Sequence, residues 1–555
     1  METIGQERLK EAAANLLAKA ATRYPKNYLE RIIQCFENEE DHISRNVMGS
    51  IIENILHGAD GLHCLCQDTG IPTFHVYLNP GMTVRGDINA ALMDATIWAT
   101  EKVPLRKNVV DPFTYRNLNN NTGWGTPFVH YHYSPEPGPL RLRVELKGFG
   151  GEIKSSTDWI FTSSRNMGNA VLAYALNSVL LSKGEACVPS FLGIGVGGYG
   201  AEAVLNAKSA VFRELTSTSM GNHAADSGDD SLEPFEARIF RCVNKLGLGP
   251  MGMGGKTTTM GVYVERRGTH TSVSSVSVAH QCWASRGSEA LIGEGSVEYL
   301  TPHVEKEDVP ALKEKISRVM SQHGGFVGKV YEFNTPVPKE DILKLRVGDV
   351  VYLNGKICTA RDGAHLRMVE SVRSGKAGEI PKEIQDTKCI FHCAPVVSKE
   401  DERWCANAAG PTTSSRFTND AAFLVENGVL NMAIGKGTMG GKMQEALKGR
   451  GVYLNATGGC AITYQKKIQN LEPRWLDLGY PEAVWVMDVT HFGPLVVNMD
   501  SEGNSLTGKV MEKVYENVRE LYQEEGLDPN ERYAQYPLTF AGLSLEEVIQ
   551  KIKMG

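Results

Sequence analysis

The sequence predicts an α/β protein of two domains behind a helical N-terminal arm. Three observations predict it. At 555 residues the chain is too long for one hydrophobic core and suggests about two to four domains of ~100–200 residues each. The first sixty residues space their apolar side chains at helical intervals. Beyond them, short β-like runs alternate with helical ones across Gly-rich loops.

Residues 7–58 are expected to be helical, broken by Pro25 and Gly58, and the stretch "YLERIIQCFENEEDHISRNVMGSIIENIL" fits two helices as well as one. Between about 60 and 300, "RLRVELKG" and "FLGIGVGG" read as strands, "SSRNMGNAVLAYALNSVLLSKG" and "AEAVLNAKSAVFREL" as helices. Residues 304–335, with "VEKEDVPALKEKISRVMSQHGG", form a charged helical connector. Strand-like "DVVYLNGKI", "GVLNMAIG" and "AVWVMDVT" follow, and the tail is loop then helix. The expected division is an N-terminal α/β domain at 1–303, the connector at 304–335 and a smaller C-terminal α/β domain at 336–555.

A net charge of −7 offers no global field for nucleic acid or an anionic membrane. The N-terminus has no long apolar run and reads as neither signal nor transit peptide. No segment approaches the ~18 apolar residues of a membrane span. A cytoplasmic protein is expected. Eleven cysteines, an odd number without any C-x2-C pair, argue against a disulfide framework, structural zinc and a thioredoxin-type dithiol.

"GPMGMGGKTTT" resembles a phosphate-binding loop, but the G-x4-G-K-[ST] spacing puts Pro250 at the first glycine. The following "TTTMGVYVERR" alternates as a strand, where a phosphate loop needs a helix. A tight turn, or a loop lining another site, is expected instead.

Three cysteines have polar or Gly-rich company. Cys66 stands in "HCLCQDTG", two residues after Cys64; Cys187 in "GEACVPSFLGIGVGG"; Cys282 in "HTSVSSVSVAHQCWASR", twelve residues after His270. Three thiolates on a 4Fe-4S cluster leave one iron without a protein ligand, and that iron can act as a Lewis acid. The residues alone equally permit three unrelated buried thiols.

"CQDTG", "LRKNVVDPFT…NTG", "KGFGGE", "CVPS", "GMGGKTTT…THT…CW", "NGKICTARDGAH", "AGPTTSSR" and "IGKG" occur in this order between about 50 and 500. The series resembles class I, iron–sulfur-dependent fumarases and their relatives, the L-tartrate dehydratases and mesaconases. The resemblance implies a 4Fe-4S cluster on Cys66, Cys187 and Cys282, with Cys64 a core residue. It implies a dicarboxylate substrate held by Arg106, Arg361, Arg416 and Lys436, with Gln67, Gly148, Gly150 and Thr413 as further contacts. Bidentate arginine suits carboxylate geometry. Thr412 is implied as the base, made competent by Asp68, and His270 as a group that orients substrate or handles the departing hydroxyl. A homodimer is implied, with the site between the two domains. "GIPTFHVYLNPG" and "KGFGGE" depart from the family pattern, so fumarate hydration to (S)-malate is the first expectation and mesaconate or tartrate the alternative. A non-catalytic iron–sulfur sensor is a rival that the retained Asp68, Thr412 and arginines argue against.

Overall fold

A computed structural model of the protein describes every residue except 1, 60, 62, 104, 162–165, 214–231, 323–328, 533–542 and 555. The N-terminal arm is three helices, Gln6–Thr22, Lys26–Asn38 and His42–Ala59. Pro25, at the N-cap of the second, supplies the expected break, and the long second stretch is indeed two helices. Gly58 lies inside the last turn of the third helix instead of ending it.

Three main sheets follow. The first has five strands in the order Val297–Tyr299, Arg286–Ile292, Leu140–Leu146, Thr73–Leu78 and Phe128–Tyr133. Its inner face packs on Gln6–Thr22 and Ile88–Lys102 around Phe74, Val76, Leu142 and Val144. The second has four, Ser156–Phe161, Val273–Gln281, Ser190–Val196 and Thr259–Arg266. Helix Gly200–Ala210 lies directly on its Ser190–Val196 strand, and this contact explains the glycines of "FLGIGVGG". A Cβ at Gly193 or Gly195 would stand 2.0 Å from the carbonyl oxygen of Ala207 or Ala203.

The third sheet has seven strands, Val330–Asn334, Val350–Thr359, Cys389–Phe391, Met432–Gly435, Val452–Asn455, Val484–Met499 and Ile468–Arg474. The sixteen-residue strand Val484–Met499 pairs with its neighbours and also with Val350–Thr359, so the sheet curls back on itself. The connector supplies helix Val309–Gln322 and then the edge strand Val330–Asn334 of this sheet. Two helices from the C-terminal part, Leu506–Glu524 and Leu545–Met554, return to pack on Met167–Ser182 and Glu233–Lys245 of the second sheet's layer.

The α/β class read from the sequence therefore holds. One shared core runs between the two halves, from Cys66, Cys187 and Trp283 to Cys393, Ala456 and Tyr464. Asn54 fastens this seam: its carbonyl accepts from the backbone N–H groups of Ile462 (2.9 Å) and Thr463 (3.1 Å), while its amide donates to Leu65 O (2.9 Å).

Candidate active site

Cys66 and Cys64 flank one residue and face different cores. Cys64 packs among the side chains beneath the first sheet, its sulfur 3.3 Å from Val103 O, while Cys66 belongs to the core at the seam. Cys187 follows a helix that ends in two left-handed residues, Lys183 and Gly184, and is itself left-handed at φ 57°. That conformation is costly for a residue with a Cβ and marks a position the surroundings hold by force. Its carbonyl accepts from Trp283 N–H (3.3 Å), next to Cys282, which leaves the end of strand Val273–Gln281. Trp283 Nε1 in turn donates to Gly458 O (2.8 Å) from the other half of the chain.

The three thiols share one electrostatic environment. Burial pushes the Cys282 thiol up to about 12, and the nearby Cys187 and Cys66 add to the shift. Burial raises Cys66 too, with the Arg286 charge opposing it. Lys436 projects from the third sheet to put Nζ 2.9 Å from Cys187 Sγ. Burial would lower the ammonium's pKa, but the Cys187 sulfur, with Cys66 and Cys282 behind it, outweighs that and raises it. A Cβ at Gly458 would stand 2.7 Å from Cys187 Sγ and 3.0 Å from Lys436 Cδ, so the cradle is cut to hold sulfur.

Among the described residues no group of three or more His, Cys, Asp or Glu is placed to hold a single metal ion. Two buried thiols and the half-buried Cys282, near enough to raise one another's pKa, suit a group that gives each of several metal atoms its own ligand, as an iron–sulfur cluster does. The soft donor set and the glycine cradle fit that group.

The other residues surround this space. Asp68 Oδ2 accepts from Phe149 N–H (2.8 Å), and its Oδ1 accepts from Gly70 N–H (3.1 Å) and Asn108 Nδ2 (3.1 Å). The "KGFGGE" loop is thereby tied to the Cys66 loop, and a 2.9 Å Lys147–Glu152 ion pair braces its ends. A Cβ at Gly148 would meet Asp68 Oδ2 at 3.3 Å, and one at Gly150 would meet Lys436 Nζ at 3.2 Å. Gln67 donates to Pro411 O (3.2 Å), Thr412 N–H to His392 O (2.7 Å) and Lys436 N–H to Thr412 O (3.3 Å). Thr413 forms a β-bridge with Lys436. The Pro411–Thr413 turn is thus held between Gln67 and Lys436.

Three arginines gather beside it. Arg106, whose N–H donates to Thr69 Oγ1 (2.8 Å), has its pKa lowered by burial and next by Arg361. Arg416 is lowered by burial and by Arg361 as well, although it pairs with Asp362 at 3.1 Å. Arg361 caps helix Asp362–Arg373, lies 3.6 Å from Glu482, and has its Nε buried without a hydrogen-bond partner among the described residues. Mutually repelling guanidiniums in one place call for an anion between them.

His270 is the exception. It sits on the exposed loop before strand Val273–Gln281, its Nδ1 accepting from Ser272 N–H (3.2 Å). Cys282 leaves the far end of that nine-residue strand, ~30 Å away at ~3.3 Å per residue. Within one chain His270 is not brought to the other residues.

Sequence reasoning missed Cys393, buried beside Arg106 and Arg361, and Arg286, which acts on Cys66 and Cys282. "CWASR" carried the second signal, an arginine four residues after a candidate ligand. The "GPMGMGGKTTT" loop runs into strand Thr259–Arg266, and its Lys256 N–H donates to the Glu39 carboxylate (2.9 Å). It is a turn that docks the N-terminal arm, and its Met251 borders Gly458 beside Cys187.

Comparison with known proteins gives the family. The family model for fumarate hydratase (fumerase) matches residues 10–290, and that for the fumarase C-terminus matches residues 298–510. A putative class I fumarate hydratase of Geobacillus stearothermophilus is 32% identical over 516 residues, covering 90% of this chain and 96% of that protein. A putative L(+)-tartrate dehydratase subunit beta of Methanocaldococcus jannaschii is 40% identical over 194 residues, 34% of this chain and 97% of the subunit. The putative subunit alpha from the same organism is 30% identical over 287 residues, 50% of this chain and 95% of the subunit.

Proposed function

The chain belongs to the class I fumarate hydratase family of hydro-lyases, and on that premise we propose that it hydrates fumarate reversibly to (S)-malate with a 4Fe-4S cluster on Cys66, Cys187 and Cys282. The observation that carries the reading is that Arg106 from the N-terminal half and Arg361 and Arg416 from the C-terminal half gather closely enough to repel one another beside Cys66. When bound, the cluster supplies an iron without a protein ligand, a Lewis acid for the hydroxyl that is added or lost.

The chain's own residues do the rest. Arg106, Arg361 and Arg416 neutralise and orient the two carboxylates. Gln67 and the Gly148–Gly150 backbone border the substrate on the first-sheet side, and Thr413 and Lys436 on the third-sheet side. In the dehydration direction the Thr412 oxygen takes the proton from the carbon beside a carboxylate as its own hydroxyl proton passes to the Asp68 carboxylate. Three N–H donors hold Asp68 in one orientation for that work. In the hydration direction the same proton returns to carbon as hydroxyl adds to the neighbouring one. The charge that builds on the carboxylate is met by the arginines.

The family's cytoplasmic homodimer is part of the proposal. His270 lies on the loop before a strand that carries Cys282 away from it, so a second copy would supply it. No helix among the described residues is long and apolar enough to cross a membrane.

A second reading has its own support. The 40% identity to a tartrate dehydratase beta subunit makes tartrate a substrate to weigh, and mesaconate differs from fumarate by one methyl. Protein purified without oxygen should be assayed for iron and sulfide and offered fumarate, mesaconate and L-tartrate. About four irons per chain with air-sensitive malate formation supports the first reading. Turnover of L-tartrate or mesaconate alone moves the assignment to that substrate. Absence of any iron–sulfur cluster overturns the account.

A further inference from the structure

Arg286 opens strand Arg286–Ile292, whose register sets it opposite Leu146 at the mouth of the "KGFGGE" loop. It is 1% exposed. Its Nε and Nη2 are buried with no hydrogen-bond partner among the described residues. Leaving two donors of a permanent cation unmet inside a protein is costly, so such a group marks a place where an acceptor belongs.

The direction of the fork is set by its neighbours. A Cβ at Gly148 would lie 3.5 Å from Arg286 Nη2 and 3.3 Å from Asp68 Oδ2, so the guanidinium borders the loop that carries Cys66. That loop lies close to the sulfur, with Asp68 N–H 3.5 Å from Cys66 Sγ, and Arg286 itself stands four residues after Cys282. Lys436 approaches from the opposite half of the chain and is already hydrogen-bonded to Cys187, its Nζ 2.9 Å from the sulfur. Two buried cations thus border the three cysteines, one on each side, and of the two Lys436 is the one hydrogen-bonded to sulfur.

We propose that Arg286 is a positioning residue of the cofactor site, its Nε–H and Nη2–H donating to sulfur on the Cys66 and Cys282 side and its charge offsetting the thiolates there. This rests on the cluster reading above. A planar fork presents two donors in a fixed parallel geometry, where an ammonium has only rotatable donors on a point charge. Hydrogen bonds and positive charge beside a cluster favour its more reduced, more negative state.

The test uses the full-length protein purified without oxygen, with iron and sulfide counted first. Wild type grown with nitrogen-15 arginine is reduced and examined by pulsed EPR, and its cluster potential is measured beside Arg286→Lys and Arg286→Gln. The expected result is a nitrogen-15 coupling in wild type that Arg286→Lys abolishes. Arg286→Gln should shift the reduction equilibrium at least tenfold toward the oxidised cluster, ~59 mV for a one-electron couple, with Arg286→Lys between the two. If neither variant folds, the wild-type coupling alone decides. A cluster without that coupling, or a potential unmoved in Arg286→Gln, overturns the role of Arg286 and leaves the cluster assignment standing. A wild type without iron and sulfide overturns both.

Discussion

Lys436 Nζ sits 2.9 Å from Cys187 Sγ, so a cation borne by the third sheet is pressed against a thiol borne by the second sheet's entry loop. The Cys187 sulfur is the largest influence raising the Lys436 ammonium against its burial. Hydrogen bonds between charged groups contribute ~1.5–3 kcal/mol, and truncating one partner leaves the other buried alone. Lys436→Met is therefore expected to lower kcat/KM for the dicarboxylate by about 10²-fold or more. Steady-state kinetics beside iron analysis checks this, and a variant with full activity would remove Lys436 from the site.

Arg361 repels both Arg106 and Arg416, and its own Nε has no partner among the described residues. A substrate carboxylate would resolve both conflicts. Arg361→Lys keeps the charge and loses the planar fork, so KM is expected to rise ~10–100-fold, in line with ~1.5–3 kcal/mol for a charged hydrogen bond. Unchanged KM with lower kcat would assign Arg361 to the transition state alone.

Gly458 offers a test of the cradle that spares the chemistry. Its missing Cβ leaves room for the Cys187 sulfur, 2.7 Å from where that atom would stand. Gly458→Ala should keep the fold, within a few degrees of the wild-type Tm, and lose most of its iron on gel filtration. Retention of full iron content would mean that the loop relaxes around the methyl group.

Acid should weaken the fold through histidines that are buried neutral. Burial, and next the Arg143 charge, depress His75 to about 4, and burial takes His303 to about 4. His75 Nδ1 also lies 2.9 Å from His132 Nε2, and its Nε2 lies 3.5 Å from Glu145, a carboxylate already paired with Arg143. The unfolded chain binds these protons near pH ~6.5, the ordinary value, and the folded chain only near 4. Stability is therefore complete above about 6.5 and falls as pH drops toward 4, by up to ~1.4 kcal/mol per pH unit for each histidine. Thermal unfolding from pH 7 to 5 should show Tm falling, with a shallower slope in His75→Gln. A flat or rising Tm in wild type would refute the assignment.

What the sequence made legible was set by local signals. Alternation and helical spacing located the strands at 140–146, 190–196 and 350–359 and the three-helix arm, because each element buries one face. The ordered motifs named Cys66, Asp68, Lys436 and the arginines, and the fold carries these to one seam. Long-range pairing was not legible. Nothing in "AVWVMDVT" announces a strand that closes its sheet onto Val350–Thr359, and nothing in the C-terminal helix pattern says that it packs on Met167–Ser182. Arg286 escaped because an arginine is read as surface until burial is known. His270 stood near Cys282 in sequence, and an extended strand turned those twelve residues into distance.

Cys64 and Cys66 provide the sharpest contrast, because a bend over residues 65–67 sends sulfurs two positions apart into different cores. Burial raises the Cys64 thiol to about 12, with the Arg286 charge opposing and Cys66 adding to it, and its sulfur lies against Val103 O under the first sheet. Cys64→Ala should then remove a small packed side chain at a cost of about 1 kcal/mol, read as a slight fall in Tm with iron content and activity kept. Cys66→Ala deletes one of three thiols that face the same space and should lose the cluster and, with it, hydration of the dicarboxylate. Equal iron loss in the two variants would mean that Cys64 takes part in holding the cluster. Iron loss in Cys64→Ala alone would exchange the roles of the two residues.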